Sequence, residues 1–476
     1  MSGYAKNSLF ELGDGTNSVT VKGEFSKSTL KAGSGDDEVS IGTVSSSSID
    51  LGDGDNTLGI TKTAKDLTYT GGQGIDDVSV AGTIANSSID LGGGVNTFKA
   101  VKETKKGEVG QKISNTNIYA AGSTTITGGA YVAGKDGNAV ELGAGSHNVN
   151  LKSISGSKGS QLTMKLGTEG AEKQSLVVGG SVKNLSYHGS KGIDEITVLG
   201  AIADSFIDLG SGVNTFKAVK ETKKGEVGQK ISNTSITGSA AAEGDTTTIT
   251  AGAYVANKTG KSISIDAGTV NLKSVSGGKD VKAGINLGTG GDGTVTLNAG
   301  QVKNASITAG YGSVTLNASA LVNSLLDMGT AEGTAAREIT VTGKVSQTEI
   351  TARGGKTTMS VGKTIAGSSF SFGGEDNSLT VGGSVKGLGY TGGAGKDEVK
   401  VEGAISASSF DFGEGVNSLT ASKADKKGVE RGKTISDTDI STAGTGTTTV
   451  TANTIKKIKT ENTLYLGSGG RMVFLP

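Results

Sequence analysis

The phrase Phe10-Glu-Leu-Gly-Asp-Gly-Thr-Asn17-Ser-Val19 returns as Leu30-Lys-Ala-Gly-Ser-Gly-Asp-Asp37-Glu-Val39 and again as Ile49-Asp-Leu-Gly-Asp-Gly-Asp-Asn56-Thr-Leu58. Its Asn/Asp anchor then falls at Asp76 and Asn96, in steps of 20, 19, 20 and 20 residues; the 20-residue step also separates Asp194 from Asn214, and Asn377 from Asp397 and Asn417. A recurrence of this length, held over so much of the chain, is a coil length: one turn of a structure in which each repeat touches only its neighbours. Composition agrees, because 34% of the 476 residues are hydrophobic, 4% are aromatic and none is Trp, too little for a broad core and enough for a narrow one. Val19-Thr-Val21 and Val78-Ser-Val80 alternate apolar and hydroxyl residues with the period of a half-buried strand. The sequence predicts an all-β chain, one continuous parallel β-helix (β-solenoid) over residues 1–476 with about 20 residues per coil. All strands are expected to be parallel and about 4.8 Å apart, so about twenty coils would span on the order of 100 Å.

Two corners can be read. One is Gly-x-Gly-x-Asn/Asp, whose glycines and anchors suit the positive φ of a tight turn. The other is rich in Ser, as in Ser46-Ser-Ser-Ile49-Asp50 and Asn86-Ser-Ser-Ile89-Asp90. A longer repeat is superimposed over approximately 66–130, 184–250 and 386–452. Within it, the text from Asn96 to Thr116 recurs almost letter for letter from Asn214 to Thr234, and a diverged copy runs from Asn417 to Thr438. The Lys/Glu-rich stretches 99–113, 217–231 and 420–435 overfill a twenty-residue coil and are expected to bulge outward, as lateral contact elements or as solvated loops.

Gly52-Asp-Gly-Asp-Asn-Thr-Leu58 and its copies resemble the glycine- and aspartate-rich repeats of RTX-type (haemolysin-type calcium-binding) secreted proteins. The twenty-residue step is similar to the coils of filamentous-haemagglutinin-like and autotransporter β-helices. The first resemblance implies calcium between stacked turns; the second implies an adhesive or structural rod on a bacterial surface. The chain departs from the RTX pattern in carrying the motif once per coil, with Asn often in the acidic position.

The candidate metal ligands are the corner carboxylates Asp36, Asp37, Asp53, Asp55, Asp76 and Asp77, with Asp14 and Asp292 of the same kind. Two readings stand: stacked oxygens holding calcium, with Asp53 and Asp55 above Asp36 and Asp37 as the best pocket, or turn chemistry and an Asn/Asp ladder with no ion. The two histidines, His147 and His188, have no Ser/Asp or metal-ligand companions in sequence and are expected on surface loops. No catalytic residue is assigned, and the chain is not expected to be an enzyme. Thr124-Thr-Ile126, Thr246-Thr-Thr-Ile249 and Thr447-Thr-Thr-Val450 invite comparison with ice-facing Thr arrays, but in the sequence they mark only the coil after each bulge.

Lys plus Arg equals Asp plus Glu at 46 each, so no net field draws in nucleic acid. No apolar run approaches the length of a membrane span, and no N-terminal signal is visible. The expectation is a structural protein at the bacterial surface or outside the cell that associates with itself end to end or laterally, as filament, fibre or surface layer. The alternative is a monomeric adhesin-like or calcium-binding rod that contacts other surface components, and a remote one is an enzyme acting on polysaccharide. Neither end shows an obvious cap, and Met472-Val-Phe-Leu-Pro476 reads either as an assembly contact or as an uncleaved export signal.

Overall fold

Each coil is built from three short strands, because the alternation that buries one face of a strand cannot run far before the chain must turn around so thin a core. In the first unit the order is Asp76–Val80, Ile84–Ala85 and Ser88–Asp90, after which Val95–Thr104 begins the next coil. The computed structural model describes residues 3–157, 159–167, 172–288, 293–330, 335–443, 446–460, 464–467 and 471–474. No helix occurs among them, strand makes up 65% of the chain, and parallel coils about 20 residues apart form a β-solenoid of about 22 turns. The chain divides into two compact units, Met1–Asp245 and Thr246–Pro476.

In the first unit the stacking is in register: Val78 faces Phe98, Ile84 faces Ile113 and Ile89 faces Ile118 in successive coils. Asp76–Val80 alternates buried and exposed residues from end to end. Side-chain volumes compensate along a strand. Phe98 is followed on the same face by Ala100, and Phe216 by Ala218, all four fully buried. The second unit repeats the scheme, with Met359 facing Leu379, Ile365 facing Val385 and Phe370 facing Tyr390. Its core carries an aromatic cluster in which Phe372 meets Tyr390 edge-on at 5.7 Å and Phe410 stacks on Phe412 at 6.0 Å.

The glycine corner follows the sequence reading for glycine but not for the anchors. Gly92 and Gly94 have φ of 68° and 80°, whereas Asn56, Asp76 and Asn96 are absent from the left-handed region and point inward. Among the described non-glycine residues, that region is used chiefly at the Ser corner, by Asn86, Asn115, Asp204 and Asn233 among others. There the next residue turns its hydroxyl inward: Ser87 Oγ donates to Ala85 O (2.8 Å) and accepts from Leu67 N (3.1 Å) of the coil below. Each such Ser therefore closes its own turn and ties it to its neighbour. A third corner, such as residues 81–83 between the first and second strands, carries no distinctive text. At Gly94 a Cβ would sit 1.8 Å from Gly74 O. Gly94→Ala, strained in φ as well, is expected to cost about 1–3 kcal/mol, read as a lower denaturant midpoint; an unchanged midpoint would show that the corner can relax.

Not every strand is parallel. Val101 to Thr104 pair antiparallel with Gly107–Gly110, Val219 to Thr222 with Gly225–Gly228, and Ser422 to Ala424 with Glu430–Gly432. The Lys/Glu insertions are thus β-hairpins. In the second unit Arg471–Phe474 also runs antiparallel, on one side against residues 448–451 and on the other against Leu464–Gly467. Where the sequence suggested no cap, the chain lays its own strand along that edge and satisfies groups that an open parallel edge would leave unpaired.

Candidate functional site

The anchors form one vertical column inside each unit. In the first it climbs through Asp37, Asn56, Asp76, Asn96, Thr124, His147, Gln174, Asp194 and Asn214, each at most 2% exposed. Register carries the column through coils where the Gly-x-Gly text lapses: Asn96 faces Thr124, Thr124 faces His147, His147 faces Gln174 and Gln174 faces Asp194. The Asn anchors work in two directions. Asn56 Nδ2 donates to Gly52 O (3.0 Å) and Gly54 O (3.2 Å) of its own corner, while its Oδ1 accepts from Asp37 N (3.1 Å) of the coil below. Acid and amide alternate for an electrostatic reason. Adjacent carboxylates in a buried column would lie about 4.8 Å apart, and an intervening Asn doubles that spacing and supplies donors.

Three of the buried acids have a tyrosine seven residues before them. Tyr69 Oη donates to Asp76 Oδ1 (2.9 Å), Tyr187 to Asp194 (2.7 Å) and Tyr390 to Asp397 (3.0 Å). In each case the acid's backbone N–H donates to the Asn above, Asn96, Asn214 or Asn417, at 2.8–3.0 Å. That Asn stands on the strand that runs out into a Lys/Glu hairpin. Burial pushes the Asp76 and Asp194 carboxyls up to about 6 and raises Asp397 as well, opposed in part by the hydrogen bonds they accept.

The predicted calcium pocket is divided by the wall of the solenoid. Asp37 and Asp76 belong to the inner column, while Asp36, Asp53, Asp55 and Asp77 lie outside and exposed. Three of the outer carboxylates accept backbone amides from the coil above: Asp36 from Asp55 N (2.9 Å), Asp53 from Gln73 N (2.8 Å) and Asp55 from Ile75 N (2.9 Å). Asp14 does the same with Ser34 N (2.8 Å), and this bond holds its carboxyl below the usual range. Asp77 sits on the outer face of its strand, away from the corner. Asp292 lies outside the described residues. Among the described residues no group of three or more His, Asp or Glu is placed to hold a metal ion.

Neither histidine is on a loop. His147 opens the strand His147–Ser155, is 2% exposed in the anchor column, contacts Gly143 O through Nε2 (3.0 Å), and has its pKa lowered by burial. His188 ends the strand Leu185–His188, half-buried, with Nε2 3.0 Å from Ser186 Oγ and its ring 5.6 Å from Phe206. Both positions continue strand alternation, which a search for catalytic companions overlooks. Arg337, which the sequence did not single out, is fully buried in the column of the second unit, between Val314 and Thr357. It donates to Gly310 O (2.8 Å), to Gly312 O and to Met328 O. Gly310 and Gly312 stand four and two residues before Val314, where other coils have the carbonyls that an Asn anchor holds. Valine cannot hold them, and the arginine one coil on reaches back to do so.

Outside the wall, the hairpins leave the solenoid beyond Ala100, Ala218 and Ala421, each buried. The first two share a tip in which Thr104 and Thr222 Oγ1 donate to Gly107 O (2.7 Å) and Gly225 O (2.8 Å). In the third, Asp425 and Arg431 pair at 3.1 Å, while Glu430 reaches Lys400 of the coil below at 3.3 Å. Outward Thr residues are not confined to the coils that follow the hairpins. Thr248, Thr269, Thr296 and Thr315 occupy one rank over four successive coils of the second unit. No protein-family model matches the chain, and no curated protein matches it.

Proposed function

We propose that the chain is a structural protein of the bacterial surface or extracellular space that associates with copies of itself. The observation that supports this reading is the set of outward hairpins. Val109 and Val227, at the same place in two near-identical copies, are 50% and 49% exposed, and Val429 in the third is 48% exposed, each among Lys and Glu residues. Such copies offer a second chain matched lateral contacts, with an apolar residue to bury and charges of both signs to pair.

Sedimentation velocity of the full chain over a rising concentration series tests this. Larger species should form and should be lost in Val109→Lys/Val227→Lys, which places charge on the exposed hairpin faces. A chain that stays monomeric throughout would overturn the reading. Repeating the series in millimolar calcium and then in chelator tests the corner carboxylates; assembly lost on chelation would assign Asp36, Asp53 and Asp55 to calcium.

A further inference from the structure

The second unit carries a groove of about 600 Å³ along the corner between the first and second strands of its coils. We infer that it is a binding site for an extended, neutral glycan chain, held without cleavage. Its wall is a ladder of outward amides, in which Asn298 Nδ2 donates to Asn271 Oδ1 (2.9 Å) and Asn317 Nδ2 to Asn298 Oδ1 (2.9 Å). Each amide has two N–H donors and two acceptor lone pairs. Asn298 spends one of each on the ladder, which leaves it one donor and one acceptor that the ladder does not use. The floor is apolar, made by Leu272, Ala299 and Ala318.

The chemistry of the lining selects among occupants. Among the described residues no charged side chain lines the groove, so a nucleic acid, an anionic polysaccharide or a charged peptide finds no counter-charge. A peptide strand binds by adding to a free sheet edge, but the backbone here is paired to the coils above and below. Ice-facing arrays are continuous ranks of Thr, whereas three of the five coils here present Asn. A glycan matches on three counts: its hydroxyls both donate and accept, its C–H faces suit the Ala/Leu floor, and its repeat is close to the coil spacing of about 4.8 Å. From Thr250 to Thr340 the groove spans five coils, about 19 Å, or about four sugar units. No pair of carboxylates lines it, so the geometry supplies no acid and base for hydrolysis.

Affinity electrophoresis of the full chain through gels containing soluble dextran, mixed-linkage β-glucan, galactomannan, xylan or, as the anionic comparison, alginate tests the inference. At least one neutral glycan should retard the protein, and Asn298→Leu should weaken that retardation about tenfold. Thr296→Val, in the neighbouring outward rank and outside the groove, should leave it unchanged, with thermal unfolding of both variants showing that the fold is kept. No retardation by any of the neutral glycans, retardation by alginate alone, or equal loss in both variants would overturn it. Because the groove and the two valines that test assembly are in different units, failure here leaves self-association standing, and the converse.

Discussion

Arg337→Ala lowers the stability of the second unit by about 2–5 kcal/mol. The guanidinium is 0% exposed and donates to three backbone carbonyls, those of Gly310, Gly312 and Met328. Truncation strands these acceptors in a narrow core that water does not readily enter, and leaves a cavity as well. Lysine is no substitute, because a single ammonium cannot reproduce a planar fork spread over three carbonyls. The origin of the arginine supplies a second test. Because it does the work of the asparagine missing at Val314, the pair Val314→Asn/Arg337→Thr rebuilds the ordinary column and should recover a large part of the loss. Denaturant midpoints followed by far-UV circular dichroism compare the variants. Double and single variants of equal stability would show that Arg337 does not stand in for an anchor.

The same residue marks where the sequence stops being readable. From Asn17 to Asn96 the anchor text, the alternation and the Ser corner all point to one coil length, and the strands lie where those patterns place them. From Thr124 to Gln174 the column passes to Thr, His and Gln, and from Gly268 to Val314 the same register position holds residues that cannot form the ladder. The fold persists there because register is set by the inward apolar rows and by pairing on both sides, neither of which needs the anchor. Reading the motif as an outer turn hid the inner column. Asn and Asp are familiar as turn residues that tolerate positive φ, and only the coil above shows that Asn56 and Asp76 turn inward. It also explains why Asp36 and Asp37, neighbours in sequence, fall on opposite sides of the wall. The hairpins were legible as excess length but not as strands, since a Lys/Glu-rich stretch with a central glycine suits a solvated loop equally well. The third corner, with its groove, has no sequence signature, because its shape comes from small residues such as Ala299 and Ala318 that line up only through the register of successive coils.

Stability should rise, not fall, as the protein is taken from pH 7 to pH 5. Asp76 and Asp194 titrate at about 6 in the folded chain against 3.8 for an ordinary aspartate, and Asp397 is raised in the same direction. For Asp76 and Asp194 the folded state holds a proton between about pH 4 and 6 that the unfolded state has released, and Asp397 acts in the same direction. Folding therefore takes up protons in that window, and acidification through pH 6 favours the folded chain. With partial hydration of the corner discounting the full shift, about 1 kcal/mol per site is expected. Two kinds of group act in the opposite sense: carboxyls held low by accepted hydrogen bonds, such as Asp14 and Asp425, only below about pH 4, and His147, whose pKa burial lowers, from about pH 6.5 downward. The triple variant Asp76→Asn/Asp194→Asn/Asp397→Asn removes the buried charges while keeping a polar group for Tyr69, Tyr187 and Tyr390. It should be more stable than the wild type at pH 7 and should lose the rise between pH 7 and 5, leaving only the fall contributed by His147. Urea midpoints of both proteins at pH 7, 6 and 5 decide the matter: a wild-type midpoint that drops across this range as much as the triple variant's would mean that the three carboxylates stay ionised in the core, held by their tyrosine and amide donors, and that the column is charged as built.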